Sequence, residues 1–103
     1  MTAKTSIQLS EKDNVAVVPV EVAKDEYIEP AGIIACQLIP RGHKLALEAI
    51  EQGQAVLKYG QIIGFASVPI AAGEHVHVHN VSMGDFERDY AYGEAAVDSE
   101  MVP

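Results

Sequence analysis

Residues 54–81 read QAVLKYGQIIGFASVPIAAGEHVHVHNV, and this stretch determines the fold class that we predict. Runs rich in valine, isoleucine and phenylalanine are separated by KYGQ and IAAGE, which both contain glycine. Short runs of β-branched and aromatic residues that end at glycine turns are typical of β-strands. The stretch therefore predicts three strands, within QAVLKYG, QIIGFASVPI and EHVHVHNV.

The first half of the chain gives weaker signals of the same kind. NVAVVPV predicts an early strand, with Pro19 at an edge or bulge, and IIACQLI predicts a buried strand in which Cys36 acts as a small hydrophobe. VAKDEYIEPAG between them reads as a charged connection with a turn, and HKLALEAI suits either a short helix or a strand. The whole pattern predicts a compact, mostly β domain of short strands with little helix.

The length and composition indicate one small globular domain. The chain has 103 residues, of which 49% are hydrophobic and 21% are charged. We predict a flexible N-terminus over residues 1–12, a folded domain over residues 13–81, and an acidic extension or linker over residues 82–103 that leads towards a larger domain or subunit. EQGQAV and AAGEHV share a turn-then-strand form, but the sequence predicts no clear internal repeat.

The charge balance argues against two classes of partner. Acidic residues outnumber basic ones by 15 to 7, which gives a formal charge of −8 that repels nucleic acid and anionic membranes alike. One cysteine cannot form an internal disulfide, and the sequence contains neither a long apolar run nor the apolar centre of a secretory signal. We therefore predict a cytoplasmic protein.

Three of the four histidines, His75, His77 and His79, recur at every second position. On an extended strand they would share one face, opposite Val76 and Val78, with the outer two about 13 Å apart at roughly 3.3 Å per residue. A shared divalent ion would then use His77 with one neighbour and a third ligand such as His43, Glu74 or Asp85. The alternative is a solvated strand face that binds nothing.

Other polar residues lie beside predicted turns. His43 and Lys44 follow Pro-Arg-Gly, and Lys58 and Tyr59 precede Gly60 at a strand end. Turn tips often carry binding groups, although an ordinary surface turn and simple packing of Tyr59 remain open. The sequence contains no nucleophile-and-base motif, no phosphate-binding glycine loop and no zinc ribbon. This absence favours the interpretation that the chain is a part of an enzyme rather than a whole enzyme.

Four segments in order resemble a known family: DNVAVV at 13–18, IPRGHKLAL at 39–47, VLKYGQIIGFA at 56–66 and IAAGEHVHVHN at 70–80. They resemble the small N-terminal domain of the altronate/galactarate dehydratase family, which is similar to the SAF module of sialic acid synthases and type III antifreeze proteins. This likeness implies a β-clip fold. The same motifs resemble the small subunit of (2R)-sulfolactate sulfo-lyase, and FERDYAYG at 86–93 resembles the segment that leads into the large lyase domain.

The resemblance implies a small SAF-domain subunit or domain of a hydro-lyase that dehydrates sugar acids, where it contributes to the substrate pocket. It implies a large lyase partner, a possible homo-oligomer, and a divalent metal, iron first, in the complete enzyme. A sulfo-lyase subunit and a stand-alone carbohydrate- or metal-binding module are the alternatives. We predict metal binding at His77 and His79, then His75, and substrate binding at five residues: His43, Lys44, Lys58, Tyr59 and Asn80.

Overall fold

The structure is a computed structural model that describes residues 3–83. Within this range the chain forms nine short strands and no helix, which confirms the predicted mostly β domain; no helix long and apolar enough to cross a membrane occurs there. The strands are β1 (Lys4–Thr5), β2 (Val15–Val17), β3 (Tyr27–Glu29), β4 (Ile33–Ile34), β5 (Lys44–Ala46), β6 (Ala55–Lys58), β7 (Gln61–Ala66), β8 (His75–Val76) and β9 (Val81–Ser82). They form three sheets in the orders β1-β3-β4, β2-β5-β8 and β6-β7-β9.

The sheet β2-β5-β8 separates two hydrophobic cores. Its strands are antiparallel, and Val15 pairs with Ala46 while Ala16 pairs with Leu45. Val15 and Ala46 pack into one core and Ala16 and Leu45 into the other, because successive side chains of a strand point to opposite faces. Both faces of this sheet are therefore buried, and only its ends can carry a site.

A nine-residue repeat, which the sequence analysis did not predict, builds both cores. Its four copies are VPVEVAKDE (18–26), ACQLIPRGH (35–43), ALEAIEQGQ (46–54) and ASVPIAAGE (66–74). The first and fifth positions of every copy are buried aliphatic residues, and the eighth position has a positive φ. The first two copies supply one core and the last two supply the other. The four copies have few identical residues and share only the spacing of their small, apolar and positive-φ positions, so a comparison of residue identities does not detect the repeat.

The copies bind one another reciprocally in pairs. In the second pair, Ile50 and Ile70 exchange two backbone hydrogen bonds of 2.8 Å. The Gly73 N–H donates to the Ala46 carbonyl and the Ala46 N–H to the Glu74 carbonyl, while Gly53, Gln54 and Ala66 form the matching bonds in the other direction. The first pair repeats this pattern through Val22 and Ile39. The turn at the end of each copy is thus hydrogen-bonded to the first residue of the paired copy.

Two predictions for the first half of the chain are wrong. Lys4–Thr5 pairs with β3, and Ile7 forms a bridge with Val17, so the N-terminal segment that we expected to be flexible over residues 1–12 belongs to the fold from Lys4 onwards. VAKDEYIEPAG is more than a connection, since it contains β3. The backbone groups of these strands find their hydrogen-bond partners in each other, and polar side chains such as Ser6, whose hydroxyl donates to the Glu29 carbonyl at 2.9 Å, join the fold as well.

The prediction of a buried strand over IIACQLI also fails. Only Ile33–Ile34 is a strand, Ile34 is 51% exposed, and Cys36 is exposed with its thiol donating to the Ala72 carbonyl at 3.3 Å. Ala35 and Ile39 are the buried members, because they occupy the first and fifth positions of the repeat. The alternative left open for HKLALEAI is decided in favour of a strand, β5. The predicted extension over residues 82–103 lies outside the described residues, except for the start formed by Ser82 and Met83.

Candidate functional site

The histidine segment is a short strand followed by a tight turn. Strand β8 ends at Val76, and the chain turns through residues 77–80. Asn80, which is 1% exposed, holds this turn: its Oδ1 accepts from the His77 N–H at 3.0 Å and its Nδ2 donates to the His75 carbonyl at 2.8 Å. The prediction of a continuous strand through this segment is therefore wrong.

The turn changes which side chains lie together. Val76 is buried, whereas Val78 is 81% exposed, so the two valines do not share a buried face. The ring centroids of His75 and His79 lie 5.3 Å apart, against the separation of about 13 Å expected for an extended chain. The turn draws the histidines together at the end of the central sheet.

His43 completes a three-histidine cluster with His75 and His77. Because Lys44 pairs with Val76 across β5 and β8, the residues just beyond that pair, His43 and His77, lie opposite each other. Their ring centroids are 4.5 Å apart, and His43 Nδ1 lies 2.9 Å from His75 Nε2. One ligand atom from each of the three rings lies within 4.8 Å of the others.

The repeat explains why the His43 side chain is free to reach this cluster. In three copies the backbone N–H of the sixth residue donates a hydrogen bond to the side-chain oxygen of the ninth residue. The donor–acceptor pairs are Ala23–Glu26, Glu51–Gln54 and Ala71–Glu74. In the remaining copy the sixth residue is Pro40, which has no N–H. The backbone bond from the His43 N–H to the Pro40 carbonyl closes the turn at 3.0 Å, and the imidazole is left for other contacts.

The surroundings of His75 and His77 favour the neutral form of both rings. Burial lowers the pKa of His75 below its ordinary value of 6.5, and the charges of His43, His79, His77 and Lys44 lower it further. The pKa of His77 is also lowered, by burial first and then by the charges of His43, Lys44 and His79. Neutral imidazoles can bind a metal ion or accept a proton, so these two rings are chemically available near neutral pH.

Lys44 lies at a cavity beside the cluster. The cavity has a volume of about 260 Å³ and is lined by Lys44, His77 and four apolar residues: Ile63, Val78, Val81 and Met83. The ammonium group of Lys44 is half-buried, and burial, followed by the charge of Lys58, lowers its pKa. A cation and an imidazole at the mouth of an apolar cavity could hold an anionic group.

Lys58 and Tyr59 lie at the hairpin turn between β6 and β7. Lys58 Nζ lies 5.1 Å from the centre of the Tyr59 ring, and that ring is 64% exposed. The buried carboxylate of Asp13 accepts from the Tyr59 N–H at 2.9 Å and from the Gly60 N–H at 2.7 Å, so it fixes the turn. Substrate binding by Lys58 and Tyr59 stays a prediction, as it does for Asn80, whose amide is used by the 77–80 turn.

All three histidines of the compact set, His43, His75 and His77, were named from the sequence, although His77 was paired first with His79, which lies outside this set. Metal binding by these residues stays a prediction. One residue that the sequence did not indicate also fixes the cluster. The Gln37 Oε1 accepts from the His75 N–H at 3.0 Å and fixes that backbone. His43 was indicated in the sequence by its place after the Pro-Arg-Gly turn, whereas no sequence signal pointed to Gln37.

The three imidazoles suit the divalent metal that the resemblance implies. Neutral imidazole is a ligand for zinc, iron, nickel and copper, and the rings already converge to within 4.8 Å. Carboxylate ligands are absent from this set among residues 3–83. The donor chemistry therefore fits a transition metal better than calcium or magnesium, which prefer oxygen ligands.

Comparisons with known proteins show the family of this chain and two types of relative. Residues 4–84 match the altronate/galactarate dehydratase SAF domain. The chain is 39% identical to altronate dehydratase of Bacillus subtilis (strain 168) over 79 residues, which cover 75% of this chain and 16% of the relative. It is 42% identical to altronate dehydratase of Escherichia coli (strain K12) over 76 residues, which cover 72% of this chain and 15% of the relative.

A second type of relative is a small subunit. The chain is 51% identical over 43 residues to (2R)-sulfolactate sulfo-lyase subunit alpha of Chromohalobacter salexigens, which covers 42% of this chain and 46% of that subunit. The chain thus spans about one sixth of the length of the dehydratases and about half of the length of the subunit. With the domain matched over residues 4–84 and two dehydratases matched over most of the chain, this protein belongs to the altronate/galactarate dehydratase SAF-domain family.

Proposed function

We propose that this chain is the small SAF-domain component of a hydro-lyase that dehydrates sugar acids, and that it forms one wall of the substrate pocket. One observation carries the proposal: Lys44 and His77 line a single cavity directly beside the imidazoles of His43 and His75. The relatives that are dehydratases are several times longer than the matched region, and the shorter relative is a subunit. Both facts support a larger catalytic partner, in cis or in trans.

The chemistry of a sugar-acid dehydration matches the groups on this wall. A base removes the hydrogen next to the carboxylate, the bond between the β-carbon and its hydroxyl breaks, and an acid supplies the proton with which the hydroxyl leaves as water. The Lys44 ammonium would bind the substrate carboxylate at the cavity, while His77, which lines the same cavity, would help to hold the divalent metal. A divalent metal, when bound, would stabilise the negative charge that develops on the carboxylate.

The wall is incomplete by itself. The described residues supply a cation and imidazoles, while the cavity opens next to exposed apolar side chains such as Val78 and Met83. Burial of these side chains by a larger lyase component would exclude water from the cavity and strengthen the Lys44–carboxylate attraction. We therefore place the partner on this side of the domain.

The first experiment identifies the partner and the reaction. The tagged chain is purified from its native source, the co-purifying protein is identified by mass spectrometry, and the complex is assayed with altronate, galactarate and (2R)-sulfolactate. Water elimination from a sugar acid supports the proposal. Activity with (2R)-sulfolactate alone would replace it by the second candidate, a sulfo-lyase subunit, which the 51% identity over 43 residues favours.

A matched pair of variants tests the role of Lys44 in that complex. Lys44→Gln removes the cation from the cavity, and Lys12→Gln removes one from an exposed turn. We expect Lys44→Gln to lower kcat/KM by about tenfold or more, as for the loss of a charged hydrogen bond to substrate. Lys12→Gln should leave kcat/KM unchanged. Equal kinetics for the two variants would exclude a substrate contact by Lys44.

The same preparation separates the third alternative. A stand-alone carbohydrate-binding module would bind a sugar acid tightly without any second protein, which titration calorimetry of the isolated chain measures directly. A component of a pocket should bind sugar acids weakly when isolated, because most of the contacts belong to the partner.

A further inference from the structure

We propose that His43, His75 and His77 form a three-imidazole site for a divalent transition metal on this chain itself. The site keeps His77 and the third ligand His43 that the sequence suggested, but its remaining ligand is His75 rather than His79, and His43 lies 32 residues before His75. It also stands apart from the proposed lyase role, since its ligands all come from this chain and its test needs neither substrate nor partner.

The distances are close to those that a metal requires. Zinc–nitrogen bonds of about 2.0–2.1 Å in a tetrahedral site place the ligand atoms about 3.3 Å apart. His43 Nδ1 and His75 Nε2 are 2.9 Å apart, and the set of three spans at most 4.8 Å. Rotation of the half-buried imidazoles would bring the three ligand atoms to these separations.

Each ligand is fixed by a separate part of the fold. The His43 carbonyl accepts from the Val18 N–H at 3.0 Å in the reciprocal pairing of the repeat. The His75 N–H donates to Gln37, and the His77 N–H donates to Asn80. Three anchored backbones that direct rings to one point lower the entropy cost of binding an ion.

The repeat supplies independent support for His43. Its position is occupied by glutamate or glutamine in the other copies, where the side chain locks the turn. Pro40 removes that task from the second copy, so the fold does not require an imidazole at residue 43. The side chain instead contacts the other two rings of the cluster.

The ligand set also defines the reactivity of the ion. Three neutral imidazoles leave the charge of a divalent ion uncompensated and leave further coordination positions open. Such an ion attracts oxygen anions, and the cavity that Lys44 and His77 line lies beside it. We assign the site to zinc, iron, nickel or copper, the ions that imidazole ligands suit.

The test measures metal binding by the full chain. Zinc binding is followed by titration calorimetry near neutral pH, and cobalt(II) binding by the visible absorption of the coordinated ion. The variants are His43→Gln, His75→Gln and His77→Gln, and His79→Gln is the matched control in the same turn. His43→Gln is the most conservative of them, because glutamine occupies the same repeat position at residue 54. Circular dichroism verifies that each variant is folded.

We expect the wild-type chain to bind one ion. Each of the three variants should lose metal affinity at least about tenfold. The affinity of His79→Gln should stay within about a factor of two of the wild type, because this exposed side chain lies outside the site. Absence of zinc and cobalt binding to the wild-type chain at millimolar metal would overturn the proposal. A loss in His79→Gln as large as that in a folded His43→Gln variant would overturn it too, since the ligands would then be those of the turn alone.

Discussion

Replacing Asn80 by alanine should destabilise the domain by disrupting the turn that carries His77. The buried amide makes two hydrogen bonds, to the His77 N–H at 3.0 Å and to the His75 carbonyl at 2.8 Å. Each backbone group left unpaired costs about 1–3 kcal/mol, and both belong to half-buried residues that water can partly reach. The expected loss is therefore about 2–3 kcal/mol, near the lower end for two groups.

This loss is measurable without unfolding the domain. Domains of this size have free energies of unfolding of about 5–15 kcal/mol, so the variant should remain folded. The midpoint of thermal unfolding should fall by about 10–20 °C, since 1 kcal/mol shifts it by about 4–8 °C in a small domain. Far-UV circular dichroism is the suitable probe because the chain contains no tryptophan.

A second residue of the same turn, His79, serves as the control. His79→Ala changes an exposed neighbour and should alter the free energy of unfolding by less than about 0.5 kcal/mol. If Asn80→Ala unfolded at the temperature of the wild type, the turn would not depend on the Asn80 amide. The sequence-based prediction of a substrate contact would then be the better account of this residue.

Three further predictions follow from the geometry. Gly53→Ala should lower the free energy of unfolding, measured by urea denaturation, by about 1–2 kcal/mol, since residue 53 has a φ of +85° and a Cβ there would meet nothing within 4 Å. Gly73→Ala should lower it clearly more, because a Cβ there would overlap the Ile34 carbonyl oxygen. Equal losses in the two variants would contradict the close packing of these segments. The free energy of unfolding should decrease as pH falls below 6.5, because His75 and His77 have lowered pKa values in the fold and the unfolded chain therefore binds more protons. In a double variant, His75→Gln with His77→Gln, the free energy of unfolding should not change with pH in this range. If it depended on pH as it does in the wild type, these two histidines would not be the groups responsible. The isolated chain should not turn over sugar acids, and turnover at the rate of a complete dehydratase would refute its role as a component.

The residue pattern by itself determined the fold class and the family. Runs rich in valine and isoleucine predicted β2, β6 and β7, because local backbone preference and burial act together there. GHK, KYG and GEHVHVHN, in this order, pointed to the family. These signals are local, so a single sequence carries them.

Tertiary structure decided the composition of the site. The histidine spacing predicted one strand face, but the Asn80 amide ends β8 at Val76 and bends the chain, which excludes His79 from the cluster. His43 joins His75 and His77 only because β5 pairs with β8, a contact between residues far apart in the sequence. The repeat likewise became visible only through its reciprocal hydrogen bonds, because backbone pairing requires matching positions and conformations but tolerates different side chains.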